Sequence, residues 1–270
     1  MRVKKAVAMV LAIALSVSSL VTLPKSNVKA AGFELENGKY YDVVVKGGTT
    51  ETYTFTVPGN GYFRFYITPD YYTYDGEIGS NGEWWMSYEV VVSNKTYESG
   101  DAWNIDGTLK TQQQFSFAKG TKVELKISSG DDSRYEDHAN IGVIYTECSG
   151  NFETEKNDKK SLANTLKVNK AYKAVSCSHD TDWFVFTAPE TGKYKLAMMA
   201  SDELNSWGYE FEMSVNIYDT SKKVLSSYEL KGIDNSWEKV YQKKLKKGQK
   251  IFIKNMQVSG SALYKMKIKK

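Results

Sequence analysis

One pattern occurs twice in this chain, and it restricts the fold more than any other feature. YTFTVPGNGYFRF (53–65) aligns without gaps on FVFTAPETGKYKL (184–196), so that Phe55 matches Phe186, Pro58 matches Pro189 and Gly61 matches Gly192. Further on, KGTKVELKI (119–127) resembles KGQKIFIKN (247–255), and WWMSYEVVV (84–92) resembles YEFEMSVNIYD (209–219) more loosely. Because the order of the matches is kept, the chain uses one domain type twice. Each copy ends in an alternating segment, IGVIYT near 141 and LYKMKIK near 263.

The period within the copies is two: Thr, Glu or Lys separates the apolar members of TETYTFTV, FEMSVNIY and YKMKIK, the pattern of half-buried strands. Only KNDKKSLANTL (156–166) has the makings of a helical turn or two. Short strands between Pro, Gly and Asn turns, in units of about 120 residues, predict an all-β fold of two tandem antiparallel, jelly-roll-like β-sandwiches. The expected division is 31–147 for a first, degenerate copy and 148–270 for a second. Each is long enough to bury its own core.

Charge bears on what the copies meet. Arg2, Lys4 and Lys5 precede AVAMVLAIALSVSSLV, and VKA at 28–30 offers a small-residue cleavage site; length and flanks favour a secretory signal peptide over a retained membrane anchor for residues 1–30, and the product reads as secreted. Removing it leaves 31 basic and 32 acidic side chains, distributed unevenly. Residues 31–150 carry 9 basic and 18 acidic groups, net −9, while residues 151–270 carry 22 and 14, net +8. Either the halves attract one another or the basic half faces an anionic polymer such as a cell-wall or extracellular glycan. Scattered lysines and export argue against nucleic acid, and no further apolar span predicts a membrane contact after cleavage.

NFETEKND followed by HDTDWFVFTAPETGKYKL (151–158 and 179–196) resembles the pre-peptidase C-terminal domains and the related collagen-binding modules of secreted bacterial proteases. The resemblance spans 151–270 and reaches 31–147 mainly through the internal repeat. It implies a β-sandwich appendage with no catalytic role, here without a preceding protease domain. The residues agree with that: the chain after the leader has two histidines, His138 and His179, and contains no H-E-x-x-H, G-x-S-x-G or phosphate-cradling Gly loop. A non-enzyme is expected.

HDTDWFVF (179–186) poses a physical problem. Asp180, Asp182, Phe184 and Phe186 share one face of an extended segment, so carboxylates run into a core-facing row. They must be solvated, protonated, paired with a base or bound to a cation. Upstream, Glu153 and Glu155 alternate and Asn157 and Asp158 follow. Calcium takes six to eight oxygens, mostly carboxylate and carbonyl, and two such segments lying side by side can surround one ion. The alternative is a solvated acidic linker beside an edge-strand Asp turn. The family resemblance carries a calcium role onto Glu153, Glu155, Asn157, Asp158 and Asp182. Asp180 departs from it, because His179 holds the place where collagen-binding members often put the earlier acid. The first copy offers FELEN (33–37) and Glu51 with a different spacing, and a weak or absent site is expected there.

Cys148 and Cys177 are the only cysteines, and in an exported chain one disulfide is the natural expectation, with two buried free thiols as the alternative. The calcium arrangement also draws their neighbourhoods together, and closing the loop would stabilise by roughly 3.5 kcal/mol. The remaining cluster lies in PDYYTYDGEIGSNGEWWMSY (69–88), where Tyr71, Tyr72, Tyr74, Trp84 and Trp85 stand among turn residues. Aromatic faces flanked by polar groups bind sugar rings or peptide chains, although alternation sends one of the two tryptophans inward and tyrosines commonly cap sandwich edges. The expected function is attachment to an extracellular polysaccharide or matrix protein, with calcium as cofactor. A structural spacer or partner-docking protein of the bacterial cell surface is the alternative.

Overall fold

The computed structural model describes residues 32–270 apart from 80–81, 112, 202–210 and 234, so the expected leader lies outside the described residues. The first half contributes β1 (Tyr40–Lys46), β2 (Thr50–Thr56), β3 (Gly61–Tyr74), β4 (Glu77–Gly79), β5 (Trp85–Val92), β6 (Lys95–Trp103), β7 (Leu109–Lys110), β8 (Lys122–Ser128) and β9 (Tyr135–Glu147). The second contributes β10 (Asn164–Leu166), β11 (Ala171–Ser176), β12 (Thr181–Thr187), β13 (Gly192–Ser201), β14 (Glu212–Tyr218), β15 (Val224–Lys231), β16 (Glu238–Leu245), β17 (Lys250–Ser259) and β18 (Ala262–Lys269). The segment expected to make a helical turn gives only a 3-10 turn, Lys160–Leu162, and then enters β10.

Four sheets result. β1-β9-β3-β4, with β7 on β3, packs over β2-β8-β5-β6, while β10-β12-β17-β14-β15 packs over β11-β18-β13-β16. These are two tandem β-sandwiches. The repeat is preserved as topology: β2 pairs β8 as β12 pairs β17, β3 pairs β9 as β13 pairs β18, and β5 sits between β8 and β6 as β14 sits between β17 and β15. Register is kept too, since Phe55 opposes Val123 where Phe186 opposes Ile251. A one-residue slip would turn every one of these side chains outward. The ladder departs from antiparallel at one named pair, β10 with β12, which is parallel.

Each sandwich has its own core, one around Phe63, Phe65 and Ile67, the other around Phe184, Phe186 and Tyr264. The first also takes in Phe152, Val175, Cys177 and Leu263 from the second half, so the outer face of β11 and β18 is covered at one end by the first sandwich. Hydrogen bonds cross the same joint. The Gln113 amide donates to the Ser178 hydroxyl (2.9 Å) and its carbonyl accepts from the Ser178 N–H (2.6 Å), while the Gln114 N–H donates to the Ser261 hydroxyl (3.2 Å).

The expected disulfide is not formed: both cysteines remain thiols, Cys177 fully buried and Cys148 half-buried. Pairing explains this. Phe152 runs parallel to β11 with Lys173 as its partner, so Cys148 lies four residues before the pair on one segment and Cys177 four residues beyond it on the other. The two cysteines therefore lie toward opposite ends of the ladder, whereas a disulfide needs Cα atoms within about 7 Å.

Candidate metal centre and aromatic cleft

The acidic cluster is assembled from three short pieces. The Glu153 N–H donates to the Lys173 carbonyl (2.9 Å) and its Oε1 accepts from the Val175 N–H (2.8 Å), which fixes the glutamate against β11. Further along, the Trp183 N–H donates to the Asn157 carbonyl (3.0 Å), laying the acidic segment beside the start of β12. Asp180 folds back on that start, accepting from the Thr181 N–H at 2.8 Å. Carboxylate oxygens of Glu153, Glu155 and Asp182 lie within 4.8 Å of one another, as do those of Glu155, Asp158 and Asp180. Two triads thus share Glu155. All six residues singled out from the sequence are brought together, with Asp158 on the solvent rim and Glu153, Asn157 and Asp182 buried.

The polar atoms of this cluster are short of partners. Glu153 Oε2, Glu155 Oε1, Asp180 Oδ2, Asp182 Oδ1 and both side-chain amide atoms of Asn157 are buried without a hydrogen bond among the described residues. Such groups cost roughly 1–3 kcal/mol each when left unpaired, more when charged. One anchor is visible behind them: the Tyr264 hydroxyl donates to Asp182 Oδ2 (2.5 Å) and accepts from Asn255 Nδ2 (3.0 Å). Burial, followed by the neighbouring Asp182 carboxylate, pushes Glu153 and Asp180 well above the usual carboxylate range and Glu155 to about 9. Burial also raises Asp182 to about 6, against the opposing pull of hydrogen bonds that include the Tyr264 hydroxyl. Without a counter-charge, the cluster favours its protonated form. A donor set of orphaned carboxylate and amide oxygens fits a hard divalent cation, and nitrogen or sulfur ligands are not offered by these residues.

The aromatic group divides. Tyr72, Trp84 and Trp85 line a cleft of about 620 Å³ on the first sandwich, together with Tyr135 and the carboxylates of Glu83, Asp131 and Asp137. Tyr72 meets Trp84 edge-on at 5.8 Å and Tyr135 at 5.6 Å. Gly79 makes room for it, since a Cβ there would sit 2.1 Å from the Tyr72 ring. Trp84 packs against the first core, while Trp85 is 49% exposed and lies 4.7 Å from Trp103. Tyr71 and Tyr74 are not among the cleft residues. Alternation along β3 turns Tyr71 away, where it stacks on His138 at 4.1 Å, and Tyr74 is held between Tyr135 and the Arg134 guanidinium. Sequence reasoning missed Tyr135 and Asp137, which lie on β9 opposite Tyr74 and Tyr72; the alternation of YEDHANIGV was the available signal.

No family model matches the sequence, and no curated protein matches it. Solved structures that align with the chain include the CUB1-EGF-CUB2 domain of human MASP-1/3, at 8% identity and TM-score 0.23 over 85% of this chain and 99% of that one. The tandem CBM22-1-CBM22-2 domain of Paenibacillus barcinonensis Xyn10C aligns at 10% identity and TM-score 0.24, over 78% and 74% of the two chains. Tripeptidyl peptidase 2 aligns at 10% identity and TM-score 0.26, over 87% of this chain and 24% of its own. The fold assignment rests on the strand ladders themselves. No helix of the described residues is long and apolar enough to cross a membrane.

Proposed function

We propose that this chain is an exported, non-catalytic attachment module that holds an extracellular polysaccharide or matrix protein in the cleft of its first sandwich and binds calcium in its second. The observation that carries the attachment reading is the cleft, where Tyr72, Trp84, Trp85 and Tyr135 present rings beside hydrogen-bonding side chains and Trp85 remains half exposed. Aromatic area with a polar rim suits a chain of sugar rings or an extended peptide. Support for calcium comes from the buried oxygens of Glu153, Glu155, Asp180, Asp182 and Asn157 that lack hydrogen-bond partners, with Asp158 at the rim. The ion would supply the positive charge that this cluster lacks. These residues would hold it, and the Glu153 contact to β11 together with the Asn157 contact to β12 would keep the two segments side by side.

The test is retention of the mature chain on insoluble polysaccharides and on collagen, with Trp85→Ala as the informative variant. Trp85 packs on Trp103 at the surface rather than in the core, so its loss is expected to weaken retention at least about tenfold while changing stability by less than about 1 kcal/mol. Wild-type protein that binds no polymer on a broad panel, or a Trp85→Ala variant that binds equally well, would overturn the cleft assignment in favour of a spacer.

A further inference from the structure

The outer face of the β11-β18-β13-β16 sheet has a composition that neither the cleft nor the acidic cluster uses. Tyr264, Met266 and Ile268 of β18 point into the second core, as do Tyr194, Leu196 and Met198 of β13 and Tyr172 and Ala174 of β11. The alternate positions therefore face outward, and they carry Lys173, Lys195, Lys239, Lys265, Lys267 and Lys269. Register sets these lysines in rows. Lys173 directly opposes Lys265, Lys195 directly opposes Lys269, and Lys267 and Lys239 flank Ala197 from either side. No outward position of the four strands carries a carboxylate. With strands about 4.8 Å apart and alternate residues about 6.7 Å apart, six ammonium groups occupy a patch roughly 14 Å on a side.

Directly opposed like charges destabilise a sheet, and this one keeps three such pairs, since Lys193 of β13 also opposes Lys244 of β16. Contacts across the joint include apolar packing at Phe152, Val175, Cys177 and Leu263, the Tyr97–His179 ring contact, and the amide and hydroxyl bonds of Gln113 and Gln114. Ion pairs such as Lys46–Glu136, Lys231–Glu212 and Lys270–Glu190 each lie within one half. Beside the lysine rows stands Trp237, 37% exposed, with the Lys267 ammonium 3.4 Å from its ring centroid.

We propose that this face is a second binding surface, independent of the cleft, for an acidic polysaccharide lying across the sheet. The choice of residue supports a polymer over a single anion. Residues 151–270 contain no arginine, and lysine acts as a rotatable point charge where an arginine fork would impose one carboxylate or phosphate geometry. The charges are spread over four strands with no enclosing cavity, which matches a chain of repeated anions better than a small ion. The exposed indole at the edge of the rows offers a ring face for a sugar, which a purely electrostatic surface would not need.

The experiment uses the mature full chain with polygalacturonate and dextran sulfate as anionic probes, neutral dextran as control and phosphatidylserine vesicles as the competing surface. Both anionic polymers are expected to bind, with affinity falling linearly in log salt, and neutral dextran is not. The triple variant Lys195→Gln, Lys267→Gln, Lys269→Gln is expected to lose about tenfold or more in affinity and to show a shallower salt slope, while the corresponding triple Arg variant retains binding. Its melting temperature should be unchanged or higher, because opposed like charges have been removed. Trp85→Ala should leave this binding intact, so failure of the cleft and failure of the lysine face read out separately. A triple Gln variant that binds like wild type, equal binding to neutral dextran, or binding confined to the vesicles would overturn the proposal. If only the sulfated or only the uronate polymer binds, that result identifies which acidic glycan the face accepts.

Discussion

Removing divalent cations should make this protein less stable as the pH rises from 5 to 9, against the usual behaviour of carboxylates in a folded protein. A carboxyl whose folded pKa is raised contributes stability that is fully present below its unfolded pKa and lost as the pH rises through the folded one. Glu155, lifted from 4.5 to about 9 by burial and the adjacent Asp182, costs the ion-free fold about 4 kcal/mol at pH 7.5, at 1.36 kcal/mol per unit. Glu153 and Asp180 act in the same direction. That is a large share of the 5–15 kcal/mol typical of a domain. On the proposed calcium reading, the ion at about 100 times its dissociation constant would return about 2.7 kcal/mol, which for a protein of this size is a melting shift of about 5–11 °C. Thermal melts at pH 5, 7.5 and 9, each in chelator and in millimolar calcium, measure both effects. The expected result is a chelated protein that melts lower at pH 9 than at pH 5, and a calcium increment that is largest at pH 7.5 and above. Glu155→Gln should flatten the pH dependence in chelator. A chelated melting temperature that climbs from pH 5 to 9, or no calcium increment at any pH, would refute the reasoning.

Three further outcomes follow from single contacts. Tyr264→Phe removes the hydroxyl that donates to Asp182 and accepts from Asn255, so thermal melting at pH 7.5 should show a loss of about 1.5–3 kcal/mol. The loss should shrink below pH 5, where Asp182, titrating at about 6, is protonated. Gln113→Ala deletes two side-chain bonds to Ser178 across the joint and one to the Tyr97 carbonyl (3.0 Å) within the first sandwich, and a destabilisation of about 2–4 kcal/mol in urea unfolding is expected. Alkylation of native protein without reductant, followed by intact mass, should add one label at Cys148 and a second at the buried Cys177 only after unfolding.

The strand-level architecture was legible because the repeat and the period-two alternation fix both the number of sandwiches and the inward rows. Phe184 and Phe186, read as core-facing, are fully buried, and the matched pairs Phe55–Val123 and Phe186–Ile251 hold the same register. The acidic residues were legible as a set because alternation along β12 places Asp182 in line with that core. What the sequence could not supply was the pairing of the linker. Whether Phe152 runs parallel or antiparallel to β11 decides if Cys148 approaches Cys177, and nothing in NFETEKND specifies the direction. The cleft was half legible for a related reason: alternation puts Tyr71 and Tyr72 on opposite faces, but only the register shift of β3 against β9 between Pro69 and Tyr71 decides which of them faces the cleft. The lysine rows were hidden in plain composition, because a scatter of lysines along the chain becomes a patch only once β11, β13, β16 and β18 are ordered.

The position of the acidic cluster also bears on how the two sandwiches are held. Ser178, which exchanges hydrogen bonds with Gln113, lies two residues before Asp180 and one after the buried Cys177. Tyr97 of the first sandwich faces the His179 ring at 5.8 Å, and its hydroxyl is raised above the usual phenol range by burial first and then by Cys177 and Asp180. The loop that brings Asp180 to the cluster is therefore the same loop that closes the joint. An ion that draws Asp180 toward Glu155 and Asp158 would act on a segment already gripped by Gln113, so it would order the joint as well as the second sandwich. An ion-free cluster, held in its protonated form by burial, exerts no such pull on that loop. On this account Gln113→Ala and calcium removal are coupled, and their combined effect on unfolding should differ from the sum of the two by about 0.5 kcal/mol or more. Strict additivity in urea melts of the variant with and without chelator would show that the joint and the acidic cluster are independent.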